Sequence, residues 1–294
     1  MEFIPAKTLV TRTKDLSWFG ARYNMNIYKG CSHGCIYCDS RSNCYQIEDF
    51  GTIRAKQDAL AIIRKQLRGR IGAGVISTGA MSDPYNPLEK EYELTREALK
   101  LIDRYHFGVA IATKSDLITR DIDLLSKINK HSPTIVKITI TACNDKLSKI
   151  VEPGVCPSSK RFEALKKISE AGIFCGILMM PILPFIEDNE ENIVGIVRKA
   201  AECGVNFIYP AIGMTIREGQ REYFYQKLDE KFPGLREKYE KKFNLRYRCT
   251  SDKVRKLWPI FVAECKRYGI LYNMPDIIKA YQSGFWQEEQ LSLF

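Results

Sequence analysis

Three cysteines stand close together near the N-terminus of the chain, in a run punctuated by glycines. Cys31, Cys35 and Cys38 are separated by three and then two residues. Thiolates at this spacing can hold three corners of a cubane [4Fe–4S] cluster. A fourth cysteine would close the cluster, whereas three leave one iron open to a ligand that is not protein. The spacing therefore indicates catalysis rather than electron storage.

A zinc site is the alternative interpretation of this loop, because short cysteine spacings also suit tetrahedral zinc. Zinc takes a fourth ligand, which Cys44 or His33 could supply. Zinc ribbons and fingers usually pair two ligand couples across a dozen or more residues, and no second couple follows here. The spacing favours an iron–sulfur cluster, and a zinc-stabilised nucleic-acid binding module without catalysis stays as an alternative.

The loop also carries an aromatic residue, Tyr37, directly before its third cysteine. With that feature it closely resembles the signature of the radical S-adenosylmethionine (SAM) superfamily. The resemblance implies that the open iron chelates SAM and that an electron from the reduced cluster cleaves it to a 5′-deoxyadenosyl radical. That radical would abstract hydrogen from a substrate, and a donor of the flavodoxin or ferredoxin type would supply the electron. In such enzymes the cofactors perform the difficult chemistry, while the protein orients and shields them.

The elements that must position this loop follow from hydrophobic periodicity. Short β-branched runs predict buried parallel strands, and apolar residues at helical spacing predict helices between them. Gly108, Gly172 and Gly204 stand where three helices should end before the next strand. The predicted strands cover residues 26–28, 75–78, 109–113, 135–140, 174–180 and 207–209.

Six such units predict an α/β fold, a partial (β/α)6 barrel of the TIM type with right-handed crossovers. We expect this core and its N-terminal lead-in to occupy residues 1–215, and a basic, mostly helical C-terminal extension to occupy residues 216–294. Active sites of such barrels gather where strands end. Since the cysteine loop follows the first strand, residues at the other strand ends should face the cluster.

Two of those strand ends carry suitable polar residues. Ser82 and Asp83 follow the second strand and could accept hydrogen bonds from the SAM ammonium group, although a plain turn is the simpler interpretation. Lys114 follows the third strand and offers a cation for the SAM carboxylate, unless it is merely solvated. Position at a barrel's strand ends favours the binding role.

These segments, together with residues 120–123, 152–154, Arg161 and 181–184, resemble the branch of the superfamily named after spore photoproduct lyase. The resemblance implies that Ser82, Asp83 and Lys114 contact SAM. Arg161 is a further candidate, to which the carboxylate contact would fall if Lys114 does not make it. The resemblance further implies that Tyr37 lies beside the cofactor and takes part in hydrogen relay.

The chain departs from that branch at two positions. Ala80 stands where the lyase carries a hydrogen-donor cysteine, and Asp39 stands where it has a second tyrosine. Cys143, at the end of the fourth strand, could lie near the site, although a buried filler is the commoner role of a free cysteine. We therefore expect the cofactor chemistry to carry over, whereas the DNA-lesion substrate is only an alternative.

Charge is concentrated toward the C-terminus of a chain whose formal net charge is +10. The segment from Arg217 to Lys256 holds 13 Lys and Arg against 7 Asp and Glu, interleaved with aromatic residues. Such interleaving suits a nucleic-acid groove. A solvated helical face with its aromatics turned inward is the competing interpretation, which charge patterning favours.

Composition agrees with an intracellular enzyme. The N-terminus has no apolar stretch of the signal-peptide type, and no run approaches the length of a membrane span, so we expect a cytoplasmic location. In that reducing compartment the seven cysteines outside the loop should be thiols, mostly buried. A hydrolytic site is not indicated, because the histidines, His33, His106 and His131, accompany no nucleophile motif.

Overall fold

The structure is a computed structural model that describes residues 2–69 and 72–285. Its strands are β1 (Glu2–Ile4), β2 (Val10–Arg12), β3 (Tyr23–Met25), β4 (Tyr28–Lys29), β5 (Arg54–Lys56), β6 (Val75–Thr78), β7 (Gly108–Thr113), β8 (Thr134–Thr139), β9 (Phe174–Ile182), β10 (Phe207–Thr215) and β11 (Arg248–Thr250). Its helices are α1 (Ala59–Arg68), α2 (Glu89–Tyr92), α3 (Leu94–Arg104), α4 (Ile122–Ile128), α5 (Asp145–Val151), α6 (Ser158–Glu170), α7 (Glu190–Glu202), α8 (Gln220–Lys231), α9 (Leu235–Phe243), α10 (Val254–Arg267) and α11 (Met274–Gln282).

The main sheet has the strand order β11-β10-β9-β8-β7-β6-β3-β2. Neighbours from β3 to β10 pair in parallel, while β2 and β11 add antiparallel edges. Helices follow the parallel strands, as βαβ crossovers require. Within the described residues this sheet has two open edges, β2 and β11, and the prediction of a partial (β/α)6 barrel is confirmed.

The predicted first strand, residues 26–28, is wrong in position. The first parallel strand is β3, in which Tyr23 pairs with Ile76 and Asn24 with Ser77. Tyr28 belongs instead to β4, in a small sheet of order β1-β5-β4. The apolar pattern did not separate the two short strands, because Met25 and Ile27 are both buried.

Two of the three predicted helix-ending glycines are confirmed. Gly172 and Gly204 follow α6 and α7 with φ of +72° and +68°, in the left-handed region that favours glycine. The prediction for Gly108 is wrong, because α3 ends at Arg104 and Gly108 is the first residue of β7. A glycine is needed at position 108 because a Cβ at that residue would lie 2.5 Å from the carbonyl oxygen of Pro133.

The residues after β10 form helices and one short strand, as expected of a mostly helical extension. They pack onto both ends of the barrel: β11 pairs with β10, and Ile277 and Tyr281 of α11 pack with Phe19 beneath the sheet. The boundary at residue 215 stays a prediction, and residues 286–294 of the predicted extension lie outside the described residues. None of the helices in the described ranges combines the length and the hydropathy that crossing a bilayer would take.

Candidate active site

The cysteine loop follows β4 and is fixed at both ends by the backbone. The Cys31 amide donates to the Phe50 carbonyl at 2.8 Å, and the Ile36 amide donates to the Val151 carbonyl at 2.9 Å. Gly30 begins the loop with φ +84°, and a Cβ there would lie 2.1 Å from the Thr52 carbonyl oxygen. A glycine is therefore required where the loop leaves β4.

All three thiols of the loop line one small cavity of about 130 Å³, which we call the cysteine cavity. Burial raises the pKa of the Cys35 thiol, and the positive charge of Lys114 opposes this rise. Because metal ligation requires the thiolate, cluster binding would displace this proton. The structure thus brings Cys31, Cys35 and Cys38 together, as predicted.

The zinc interpretation requires a fourth ligand beside the three thiols. Across residues 2–69 and 72–285, no three His, Cys, Asp or Glu side chains are placed to ligate one ion. The two candidate fourth zinc ligands, Cys44 and His33, both have other partners. Cys44 is exposed and its sulfur accepts a 3.3 Å hydrogen bond from Arg217, whereas His33 lines the cysteine cavity with Nδ1 3.7 Å from the Asp83 carboxylate. Three thiols around a cavity fit a cluster with one open iron.

Ser82 and Asp83 both line the cysteine cavity and are already hydrogen-bonded. The Ser82 hydroxyl donates to the Gly30 carbonyl, which ties the second strand end to the cysteine loop. Asp83 accepts from the Thr113 hydroxyl at 2.6 Å and from the Tyr85 amide at 2.9 Å. Both side chains keep oxygen lone pairs that can accept from an ammonium group.

Lys114 lies at the junction of the cysteine cavity and a second, larger cavity. Burial acts to lower the pKa of Lys114, but nearby negative charges, among them those of Glu152 and Asp83, outweigh it and the pKa is raised. No acidic side chain within the described ranges lies within ion-pair distance of its ammonium group. Lys114 is therefore a protonated cation available to an anionic ligand.

The larger cavity, which we call the barrel cavity, has a volume of about 490 Å³ and an apolar floor formed by β9 and β10. β11 supplies its outer wall through Arg248 and Thr250, while the intervening Cys249 is buried on the opposite side. Sequence reasoning missed these wall residues, because the pairing of β11 with β10 has no local signal. The residues shared by the two cavities are Cys38, Ser40, Ala80 and Lys114.

The two departures from the lyase branch both lie on the barrel cavity. Ala80 is on the shared wall, and Asp39 lines the barrel cavity, where the Tyr45 hydroxyl donates to its carboxylate at 2.8 Å. Cys143, the other candidate thiol, lines neither cavity. A Cβ placed on Gly195 of α7 would lie 2.6 Å from its sulfur, so the Cys143 side chain packs against that helix.

Tyr37 lines the barrel cavity, and its hydroxyl is hydrogen-bonded within the protein. The hydroxyl donates to Glu152, a buried residue whose role the sequence alone does not indicate. Burial and the Glu152 charge raise the pKa of Tyr37 well above its usual range, so the phenol is neutral. The Lys114 ammonium lies 5.7 Å from the ring centre.

Arg161 is not brought to either cavity. Its side chain is fully buried, and its guanidinium donates to the Thr139 carbonyl at 2.7 Å and the Ser148 hydroxyl at 2.6 Å. One terminal nitrogen also lies 2.7 Å from Glu152 Oε2. This geometry does not support a direct contact between Arg161 and SAM.

The basic C-terminal segment buries most of its aromatic residues. Phe224, Tyr225, Tyr239 and Phe243 belong to a buried cluster between α8, α9 and the cysteine loop, whereas Tyr247 is exposed. Several basic residues are paired with acidic ones, as in the bridges of Arg236 to Asp229 and Glu240 and of Lys242 to Asp252. These contacts agree with the solvated-face interpretation, and nucleic-acid binding stays a prediction.

The sequence model of the radical SAM superfamily matches residues 25–207, well over half of the 294 residues. The chain belongs to the radical SAM superfamily, and it is an enzyme that uses a [4Fe–4S] cluster and SAM, the cofactors of that family. Solved structures of spore photoproduct lyase share its fold. A cysteine-to-serine variant has a TM-score of 0.66 and 17% identity, covering 92% of this chain and 81% of that one. A variant with bound AdoMet and dinucleoside spore photoproduct has a TM-score of 0.64 and 17% identity, covering 90% and 78%.

Relatives by sequence are found in archaea and bacteria. The uncharacterized protein MJ0683 of Methanocaldococcus jannaschii is 37% identical over 175 residues, which are 58% of this chain and 64% of that protein. The uncharacterized protein Rv2578c of Mycobacterium tuberculosis is 25% identical over 240 residues, or 79% of this chain and 70% of that protein. The chain therefore spans less than two thirds of the length of the archaeal relative.

Proposed function

We propose that this enzyme reductively cleaves SAM and directs the resulting radical at a substrate in the barrel cavity. Cys31, Cys35 and Cys38 would hold the [4Fe–4S] cluster. The observation that carries the proposal is the shared wall, since Cys38 and Lys114 line both cavities. When bound, the cluster and SAM supply a 5′-deoxyadenosyl radical.

The chain's own residues would orient SAM across the junction of the cavities. Lys114, protonated and without an acidic partner in the described residues, suits the SAM carboxylate. Asp83 and Ser82 offer oxygen acceptors to its ammonium group from the same cavity wall. The apolar floor of the barrel cavity limits water, which strengthens these polar contacts and protects a radical from side reactions.

A further part of the proposal concerns the electron donor and the compartment in which it works. An electron donor of the flavodoxin or ferredoxin type supplies the reducing electron. The cysteines of the described residues are all free thiols, which agrees with the reducing cytoplasm in which such donors work.

The second candidate function is repair of a thymine photoproduct in DNA, for which the fold of spore photoproduct lyase is the supporting observation. Ala80 weighs against it, because a methyl group on the shared wall cannot give the hydrogen atom that the lyase takes from cysteine. We therefore place the substrate outside that reaction. Conversion of a thymine photoproduct to two thymines by the unmodified protein would reverse this conclusion.

Anaerobic reconstitution followed by reduction with dithionite tests the proposal. We expect a brown protein with four irons per chain that releases 5′-deoxyadenosine from SAM, with and without short thymine-rich DNA. A protein that stays colourless and binds zinc would support the zinc-stabilised module instead. A brown protein that never cleaves SAM would contradict the proposed reaction while leaving the cluster in place.

A further inference from the structure

Tyr37 is held from behind by a buried carboxylate. Its hydroxyl donates a hydrogen bond to Oε1 of Glu152, a side chain 115 residues further along the chain and 1% exposed. Glu152 follows α5 directly and lines neither cavity. Tyr37 lines the barrel cavity, and the ammonium of Lys114, which lines the same cavity, lies 5.7 Å from its ring centre, while the Tyr37 hydroxyl is directed at Glu152.

Arg161 forms an ion pair with this carboxylate. Its Nη2 atom lies 2.7 Å from Glu152 Oε2, and neither side chain is more than 1% exposed. The two form a buried ion pair. Tyr37 and Arg161 thus contact different oxygens of the same carboxylate, Oε1 and Oε2.

Stability alone does not explain this buried pair. Desolvating two charges costs about as much as their attraction returns, so apolar residues of similar volume would serve the fold equally well. The same helix end also contacts the cysteine loop, because the Ile36 amide donates to the Val151 carbonyl. What the arrangement fixes is the segment that carries Tyr37.

We propose that Glu152 is a positioning residue that fixes the ring of Tyr37 against bound SAM, and that Arg161 acts through Glu152 rather than by touching SAM. This inference rests on the proposed function, because SAM has to bind where Tyr37 lines the cavity. In this arrangement Tyr37 offers SAM a ring surface. Its hydroxyl hydrogen is bound to Glu152 and faces away from a radical in the barrel cavity.

A double-mutant cycle on SAM affinity tests the inference without turnover. SAM is titrated into the anaerobically reconstituted, unreduced enzyme and its Tyr37→Phe, Glu152→Ala and doubly substituted variants. Each single variant should bind SAM about tenfold more weakly, the scale of one lost hydrogen bond to a charged group. The double variant should bind no more weakly than Glu152→Ala, because the two residues act through one contact. Additive losses, or no loss in Glu152→Ala, would overturn the inference.

A charge-neutral variant separates positioning from folding and from direct contact. Glu152→Ala leaves the Arg161 charge uncompensated and can destabilise the protein, whereas Glu152→Gln combined with Arg161→Met removes both charges and keeps an acceptor for Tyr37. We expect this variant to retain normal iron content and SAM affinity within about threefold, because the neutral acceptor keeps the hydrogen bond that positions the ring. A tenfold loss would show that Arg161 affects SAM binding by a route other than Glu152 and would overturn the inference.

Glu187→Gln is the matched control. Glu187 is also fully buried, but its carboxylate accepts from the Thr141 hydroxyl at 2.7 Å and from the Leu183 amide at 2.9 Å rather than from the Tyr37 hydroxyl. Its SAM affinity should equal that of the unmodified enzyme, and a loss as large as that of Glu152→Ala would overturn the specific role of Glu152. An unmodified, iron-replete enzyme that binds no SAM would overturn the proposed function as well, whereas unaltered binding in Glu152→Ala overturns the inference alone.

Discussion

The backbone amide of Lys114 donates a 2.8 Å hydrogen bond to the Asp83 carboxylate. The residue at the second strand end and the residue at the third are thereby fixed to each other before any ligand binds. Because the bond uses the Lys114 backbone, removing the lysine side chain leaves Asp83 in place. The contributions of the two residues to SAM binding can therefore be measured separately.

Lys114→Ala should weaken SAM binding and leave the cluster intact. Losing a charged hydrogen bond costs about 1.5–3 kcal/mol, or about ten- to a hundredfold in affinity. Titration of SAM into the reconstituted enzyme, beside an iron assay, measures both. Lys100→Ala is the control, because Lys100 is paired with Glu97 on the surface. Unchanged SAM affinity in Lys114→Ala would show that another residue contacts the SAM carboxylate.

Cys35→Ala and Cys44→Ala should differ sharply in iron content. Cys35 lines the cysteine cavity, and a site with two thiolates lacks the ligands of a stable cubane cluster. Cys44 is exposed and contacts Arg217 instead. We expect Cys35→Ala to lose the cluster and SAM cleavage, and Cys44→Ala to retain both. Loss of iron from Cys44→Ala would indicate a closed four-thiolate site or a zinc site.

Lys137 should make stability depend on pH. This residue of β8 is 1% exposed, its ammonium lies 4.5 Å from the ring centre of Phe19, and burial lowers its pKa to about 7 from 10.5. Between those values the unfolded state binds more protons than the folded state, so stability rises with pH. Below pH 7 both states are protonated, and the full cost of the buried charge is present.

Lys137→Met should therefore be more stable than the unmodified protein at pH 6. Its advantage should shrink between pH 7 and 10, by at most about 1.4 kcal/mol per pH unit. Urea unfolding of both apo proteins at pH 6, 8 and 10 provides the measurement. A difference that does not vary with pH would show that Lys137 stays protonated in the folded state across this range, as it does in the unfolded state.

Nucleic-acid binding by the basic segment should be weak and steeply salt-dependent. Each neutralised phosphate contributes a slope of about 0.7–0.9 in log affinity against log salt. Changing Lys241, Lys242 and Arg246 to Glu should abolish such binding, while SAM cleavage without substrate continues. Fluorescence anisotropy with short DNA and RNA at several salt concentrations measures the slope. If nucleic-acid affinity changes neither with salt concentration nor with these substitutions, the nucleic acid contacts another part of the protein.

The sequence predicts best what depends on residues close together in the chain. The cysteine spacing and the apolar strands from β6 to β10 are local patterns, and the structure places both as expected. Partners far apart have no such signal, which is why Glu152 behind Tyr37 was missed. Arg161 was assigned to SAM from its motif alone, and only tertiary structure shows that its guanidinium is bonded within the protein. The position of β3 was missed because adjacent short strands share one apolar pattern.

The pairing of β11 with β10 also constrains the number of residues that connect α9 to β11. Its side chains alternate, so that Arg248 and Thr250 face the barrel cavity and Cys249 faces the buried cluster. A shift of one residue along a strand exchanges its two faces. Insertion or deletion of a single residue between α9 and β11 would shift the strand by one residue. The Cys249 thiol would then face the barrel cavity and the Arg248 guanidinium would face the buried apolar cluster. Evolution can therefore vary the composition of this short connection more freely than its number of residues.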